Sequence, residues 1–549
     1  MILLKRSILI RILIVIFGII VFVPGIGGVH LFDWDEINFA ESAREMLVSG
    51  DYLTVQINFN PFWEKPPLFI WMQVLTMKIF GVNEFATRLP NAFCGIVTLL
   101  ALFDIGKKIH SIQFGIIWTL FYACSFMPFF YFKSGIIDPW FNIFIFLGIS
   151  FFIDCISNPD SRKQDISISL SAIFIGLSVL TKGPVGFLIF MLTLFVYLIL
   201  IKFKIRFRAK HIIVFCVLLA AIGGFWFIIQ IINGNFGIIR EFIVYQIRLF
   251  QTEDAGHGGF LLYHFVILLL GVFPASVIAL PVFHKSILKD EQNAQMKLFF
   301  QWMMILFWVV LILFTIVRTK IIHYSSMCYF PLTFFASWYV LQVFENKKEI
   351  TKLIKIPLLV VAGIAAVLVA LIPFFDKFKH LLYPYIDEFT LGNMQATASW
   401  AGFEWLLGVV LIAGAILFIV FLKSNKQKAF LYLLGGSLVV AFSATTFYSR
   451  QVEQYTQNEA IKFYQSRRGE DCYILSMQKS YAQYFYSDRQ PANNNADRDF
   501  LQRGAIDKPC YFVVRNTRKN IDSFLSATSN PQKLYDKNGF AFFMRQPVE

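Results

Sequence analysis

The sequence predicts a polytopic α-helical membrane protein carrying a small α/β domain at its C-terminal end. Three observations lead there. Of 549 residues, 57% are hydrophobic and only 15% charged, and the mean hydropathy is +0.62; a water-soluble chain of this length exposes far more charge. Apolar runs near the roughly 20 residues needed to cross hydrocarbon recur from Ile8 to Val440. After Tyr448 the character changes: residues 450–549 are polar, include the Asn-rich stretch Pro491–Asp497 and contain no further apolar run of that length.

The first span covers about residues 8–28. Lys5, Arg6 and Arg11 precede Ile12–Val23 in the layout of a signal sequence, but no small-residue cleavage site follows, so an uncleaved span is expected. A polar insert, 29–88, comes next. Within it Glu36–Val48 places Ile37, Ala40, Ala43, Met46 and Leu47 at helical spacing, which predicts an amphipathic helix along the membrane surface. A second interfacial helix is expected over Pro67–Phe80, because proline suits a first helical turn. The remaining spans fall near 89–106, 113–132, 138–156, 166–181, 184–201, 211–232, 260–281, 298–317, 323–343, 356–375, 402–422 and 429–447, about 13 in all. In the polar tail, strand-like runs Cys472–Met477, Cys510–Arg515 and Phe540–Arg545 alternate with helix-like segments. The division is therefore a membrane domain, 1–449, and a soluble extracytoplasmic domain, 450–549.

The formal net charge of +14 could point to nucleic acid, but the cations are scattered over short loops between alternate spans. Lys107/Lys108, Arg162/Lys163, Lys202–Lys210, Lys347/Lys348 and Lys423/Lys426/Lys428 share one side if the count holds, and that side is cytoplasmic. The charge is thus topological, and no nucleic-acid partner is expected. Five of seven cysteines lie in or beside apolar segments with no metal-ligand spacing. Cys472 and Cys510 could pair in an oxidising compartment, and free thiols fit equally well.

Chemistry-bearing residues collect on the opposite, outer face. Asp33-Trp34-Asp35-Glu36 follows the first span; Asp35 and Glu36 suit a helix start, and Asp35 also suits a general base. Glu64-Lys65-Pro66-Pro67 offers a cation for phosphate and a carboxylate for a divalent ion, on a backbone stiffened by two prolines. Asp138-Pro139 opens a span, and Lys182-Gly183-Pro184 links two, each explicable as a helix cap. His257 lies in a glycine-flanked loop, where a lone histidine is more often structural. Arg318 and Lys320, with His323 and Tyr324, end a span on the side where the orientation rule asks for no cations; anion binding accounts for them.

These residues also carry a resemblance. Asp35-Glu36, Ala40-Glu41-x-Ala43-Arg44-Glu45-Met46-Leu47, Glu64-Lys65-Pro66-Pro67-Leu68 and Phe80-Gly81-x-x-Glu84-Phe85-Ala86-x-Arg88-Leu89-Pro90 are similar to the polyprenyl-phosphate-dependent GT-C glycosyltransferases, the lipid A aminoarabinose transferases (ArnT) and protein mannosyltransferases among them. Asp138-Pro139, Thr181-Lys182-Gly183 and Arg318-x-Lys320-x-x-His323-Tyr324 follow in the expected order. The resemblance implies Asp35, Asp138 and Lys65 as catalytic residues and Lys65, Lys182, Arg318, Lys320 and Tyr324 around the lipid phosphate. It also implies a divalent metal, zinc in ArnT with magnesium or manganese as alternatives, near Glu64 and a histidine for which His257 is the candidate by position. The chain departs from the family at Asn38, where an arginine is common.

The function expected is inverting transfer of a sugar from a polyprenyl (undecaprenyl) phosphate donor to an extracytoplasmic acceptor at the cell inner membrane. Lipid A, another glycan or a protein could be that acceptor. A lipid or glycan flippase is the rival, but transporters place charge near the midplane in repeated halves, and no repeat is visible here.

Overall fold

The structure, a computed structural model, describes residues 2–158, 160–205, 208–251, 259–284, 287–288, 291–493 and 497–547. Helices dominate. Among the described residues, seven helices are long and apolar enough to cross a membrane, or up to nine if two bent pairs each make one span. The first helix, Ile2–Phe22, is of similar length but carries Lys5, Arg6 and Arg11. Each expected apolar segment has a helical counterpart, with breaks the hydropathy pattern does not show. Ile112–Ala123 and Phe126–Phe132 meet at 76°, and Ala209–Gly223 and Phe225–Ile232 at 58°. The expected span 260–281 is instead a nine-residue helix, Tyr263–Gly271, then a short turn of helix at Ala275–Ile278 and a 3-10 segment at Leu280–Phe283. Pro274 and Pro281 lack the amide hydrogen a continuous helix needs there.

The insert differs from expectation in its setting. The helix forms over Asp35–Ser49, but every residue from Glu36 to Met46 is buried, so it does not lie along a membrane surface. Its apolar positions enter one core and its charged positions are met internally. Arg44 pairs with Glu41 at 2.7 Å, and Glu36 pairs with Arg88. Glu45 accepts the backbone N–H groups of Asn58 (2.5 Å) and Phe59 (2.7 Å). Those two residues, at φ 56° and 57°, form the tight turn of a hairpin between β1 (Gln56–Ile57) and β2 (Asn60–Pro61). The helix expected after the two prolines runs Leu68–Phe80.

The C-terminal region contains β3 (Tyr473–Ser476), β4 (Cys510–Arg515), β5 (Gln532–Lys537) and β6 (Phe540–Arg545) in the order β3-β4-β6-β5. The β3–β4 pair is parallel and the others antiparallel. One face of this sheet shares a core with the insert: Leu31, Ile37, Phe39, Phe69 and Val74 pack in one cluster with Ile461, Tyr464, Phe485, Val513 and Phe542. Cys472 packs on this face and Cys510 on the other, and both are free thiols. The last helical run continues from Lys426 to Glu453, so the change in composition at 448–450 falls inside a continuous helix.

Candidate active site

Where the insert, the C-terminal region and the ends of several long helices meet, they enclose a cavity of about 670 Å³. Apolar walls from Phe39, Phe141, Ile189, Leu313 and Phe314 surround a charged patch made by Asp35, Glu64, Lys65, Asp138, Lys182 and His323. Residues separated by nearly 300 positions in the chain thus share one chamber.

The Asp33–Asp35 stretch is fixed from below by Arg88. Its Nε and one terminal nitrogen donate to the two oxygens of Glu36 at 2.9 and 2.7 Å, and the guanidinium also donates to the carbonyls of Ile26, Val29 and His30 at 2.7–2.9 Å. Glu36 further accepts the N–H groups of Phe32 and Gly135. Burial alone would raise the Glu36 carboxyl; the Arg88 charge and these hydrogen bonds outweigh it and hold the group below the ordinary carboxylate range. The helix start that carries Asp35 is therefore tied to a side chain 52 residues from Glu36. Asn91, one helical turn further, donates to the carbonyls of Ser134 (2.7 Å) and Ile136 (2.6 Å) and so holds the segment leading to Asp138.

Glu64 and Lys65 follow the β1–β2 hairpin whose turn Glu45 clasps. Both are half-buried and line the cavity. The Lys65 ammonium stands 5.0 Å from the centre of the Tyr245 ring, and among the described residues it makes no hydrogen bond or ion pair. Burial pulls it below the ordinary lysine value, opposed by Glu64 and reinforced by the like charge of Lys182. Burial raises Glu64 in turn, with Lys65 and a hydrogen bond from Tyr245 opposing it.

Asp138 begins the helix Asp138–Ser157, with proline next to it in the first turn. Lys182 ends the helix Ser161–Lys182, and Gly183 takes φ +94° beyond it. A Cβ there would meet the Phe242 ring at 2.5 Å, so glycine lets the helix Phe236–Gln251 pack against the turn beside the lysine. Lys182 Nζ donates to Asp138 Oδ1 at 2.6 Å. Among the described residues the buried Asp138 Oδ2 has no hydrogen-bond partner. His323 Nε2 lies 3.9 Å from that oxygen and 3.6 Å from Asp35 Oδ2, between the two carboxylates. Tyr324 also lines the cavity, its ring 5.7 Å from Lys182 Nζ.

Three expected site residues are placed otherwise. Lys320 Nζ donates to the carbonyls of Phe314 (3.1 Å), Thr315 (2.6 Å) and Val317 (2.7 Å). It caps the helix Ala294–Ile316, because the last carbonyls of a helix need donors, and it does not line the cavity. Arg318 is exposed and lies outside the cavity lining. His257 lies outside the described residues. Among the described residues no group of three or more His, Cys, Asp or Glu is arranged to hold a metal. Conversely, His323, Tyr245 and the Glu36–Arg88 pair shape the site, although the sequence reading gives them no role. Arg88 and His323 both stand inside the motifs quoted above; Tyr245 carries no sequence signal.

Residues 64–227 match the family model of dolichyl-phosphate-mannose-protein mannosyltransferases. The undecaprenyl phosphate-alpha-4-amino-4-deoxy-L-arabinose arabinosyl transferase of Photorhabdus laumondii is 25% identical over 347 residues, 62% of this chain and 61% of that one. Its namesake from Shewanella sediminis is 24% identical over 355 residues, 63% and 62% of the two chains. The chain thus spans about three fifths of the length of these relatives. The crystal structure of ArnT from Cupriavidus metallidurans bound to undecaprenyl phosphate superposes with a TM-score of 0.77 at 16% identity, over 97% of both chains. Its apo form does so at 0.75 and 17%, again over 97% of both. The fold is shared from end to end.

Proposed function

We propose that this chain, an ArnT-like protein of the GT-C class by its fold, is an integral-membrane glycosyltransferase that moves a sugar from polyprenyl (undecaprenyl) phosphate to an acceptor outside the cytoplasm. Residues 1–449 act as the transferase domain in the inner membrane, and 450–549 form its periplasmic domain. The single observation that supports this reading best is Lys65. An ammonium half-buried in a largely apolar cavity, with no hydrogen-bonded partner among the described residues and a Lys182–Asp138 pair nearby, suits a ligand phosphate.

In the reaction the bond between the sugar C1 and the donor phosphate oxygen breaks with its electrons passing to the phosphate. The acceptor oxygen attacks C1 from the opposite side, so the configuration inverts. Lys65 and Lys182 meet the charge that develops on the leaving phosphate; such preorganised stabilisation is commonly worth about 10²–10³ in rate. Asp35 accepts the acceptor's proton when the nucleophile is a hydroxyl; a phosphate oxyanion needs no base. His323, between Asp35 and Asp138, orients both carboxylates. A divalent ion held by Glu64 and His257 is tested by adding zinc, magnesium or manganese back after chelation.

Lipid A is the acceptor this reading favours. Protein O-glycosylation is the second reading, supported by the mannosyltransferase match over 64–227. Reconstitution in liposomes with an undecaprenyl-phosphate sugar tests the proposal: transfer to lipid A or a protein is expected, and translocation of the donor without transfer refutes it.

A further inference from the structure

The charged patch used above leaves two cavity cations without a role, Lys479, which stands over the Trp34 ring at 4.5 Å, and Lys133. Lys133, just past the end of the helix Phe126–Phe132, lines the cavity but is only 6% exposed. Its ammonium donates to Thr446 Oγ1 at 2.6 Å and stands over the Phe442 ring at 4.6 Å. The described residues put no carboxylate within ion-pair distance of it. Burial alone acts on it and pulls it down to about 8. A lysine that only serves topology extends its head to water; this one ends inside the protein, in contact with the chamber, with no counter-charge among the described residues. Isolated buried cations are costly unless something neutralises them.

A second observation falls at the same place. The helix Lys426–Ser443 widens into a single π-helical turn, Ala444–Tyr448, before continuing. Such turns are rare and concentrate at functional sites. This one sets Thr446 against Lys133 and puts Thr445 and Ser449 on the cavity wall. Thr446 is pinned from behind by Gly25, at φ +77°, where a Cβ would sit 2.5 Å from its methyl group. The hydroxyl is thereby directed at the lysine. Neither Lys65 nor Lys182 is part of this arrangement.

We infer that Lys133 and the π-turn hydroxyls form a second anion subsite in the cavity, taking a phosphate or carboxylate of the acceptor. The inference rests on the glycosyltransferase reading, in which Lys65 and Lys182 already hold the donor phosphate; of the two other lysines on the wall, Lys133 is the buried one with a hydroxyl set against it. Each substrate then has its own cation.

The test uses the full-length chain in proteoliposomes, with an undecaprenyl-phosphate sugar as donor and lipid A or its dephosphorylated form as acceptor. Losing one charge-assisted contact of this kind, K133M should raise the lipid A KM roughly 10- to 100-fold and leave the Kd for undecaprenyl phosphate unchanged. K133R, which keeps the charge, should recover most of the affinity, and T446V should shift KM in the same direction by less. K133M should also lose the preference of the wild-type chain for phosphorylated over dephosphorylated lipid A. An unchanged lipid A KM in K133M, or a loss of undecaprenyl phosphate binding instead, overturns the inference while transfer by the wild type upholds the glycosyltransferase reading. If the wild type transfers nothing, that reading fails, and equilibrium binding of lipid A to wild type and K133M decides the subsite separately: weaker binding supports it, equal binding overturns it.

Discussion

Replacing Arg88 with lysine tests whether the site is held by geometry or merely by charge. Arg88 makes five hydrogen bonds, two to Glu36 and three to the carbonyls of Ile26, Val29 and His30. An ammonium offers three donors, so R88K gives up at least two of these five bonds in a buried place. At about 1.5 kcal/mol or more for each charge-assisted bond, the loss is about 3 kcal/mol. Because the same bonds anchor the helix start that carries Asp35, a displacement of about 1 Å there should lower kcat by about 100-fold. Thermal unfolding in detergent reads the first effect, and initial rates of sugar transfer read the second. The double variant E36M/R88M should be more stable than R88M alone, since it leaves no unpaired buried carboxylate. An R88K protein with the wild-type melting temperature and wild-type kcat would refute the argument, since it would show that a point charge suffices.

Three further outcomes follow from the same geometry. K65M should lose about 10²–10³ in kcat with its melting temperature unchanged. Because burial pulls the Lys65 ammonium below its ordinary value of 10.5, activity should fall as pH rises through that lowered value, and K65R, which stays charged, should move the alkaline limb of a kcat–pH profile upward. Glu45 is pushed up to about 9 by burial and by its neighbour Glu41; the folded chain then binds more protons than the unfolded one between 4.5 and about 9, so stability falls with rising pH across that window. E45Q should flatten the dependence of melting temperature on pH from 5 to 9, and an unchanged slope would assign the titration elsewhere. K320A should lower stability by about 1–3 kcal/mol through lost helix capping while undecaprenyl phosphate affinity, measured by titration, stays at the wild-type level.

Much of this architecture is legible in the sequence because hydropathy and charge placement are strong in a membrane protein. The apolar segments mark their helices within a few residues, and Glu64-Lys65, Asp35, Asp138 and Lys182 can be singled out as costly charges at span ends. What stays hidden is pairing across long separations. Nothing in the spacing of Asp35–Ser49 says that its polar face is neutralised by Arg88 and by a hairpin turn, so the same periodicity reads as a helix on a lipid surface. Lys320 and Lys65 look alike as isolated cations, yet one is consumed by three carbonyls and the other is left to the cavity. His323 is overlooked because a single histidine carries little information until its two carboxylates are seen beside it.

The core that the insert shares with the C-terminal sheet also sets a timetable. Gln457 donates to the carbonyl of Leu31 across 426 residues, and Tyr464 and Phe542 complete the packing around Ile37 and Phe39. At about 5–20 residues per second of synthesis, the insert leaves the ribosome roughly 20–85 s before the segment that covers it exists. Through that interval the helix Asp35–Ser49 has apolar side chains and buried-type ion pairs but no roof. Assembly of the chamber is therefore a late event in the life of the nascent chain, and a polypeptide stopped before residue 457 would display an unfinished insert to the quality-control proteases at the membrane.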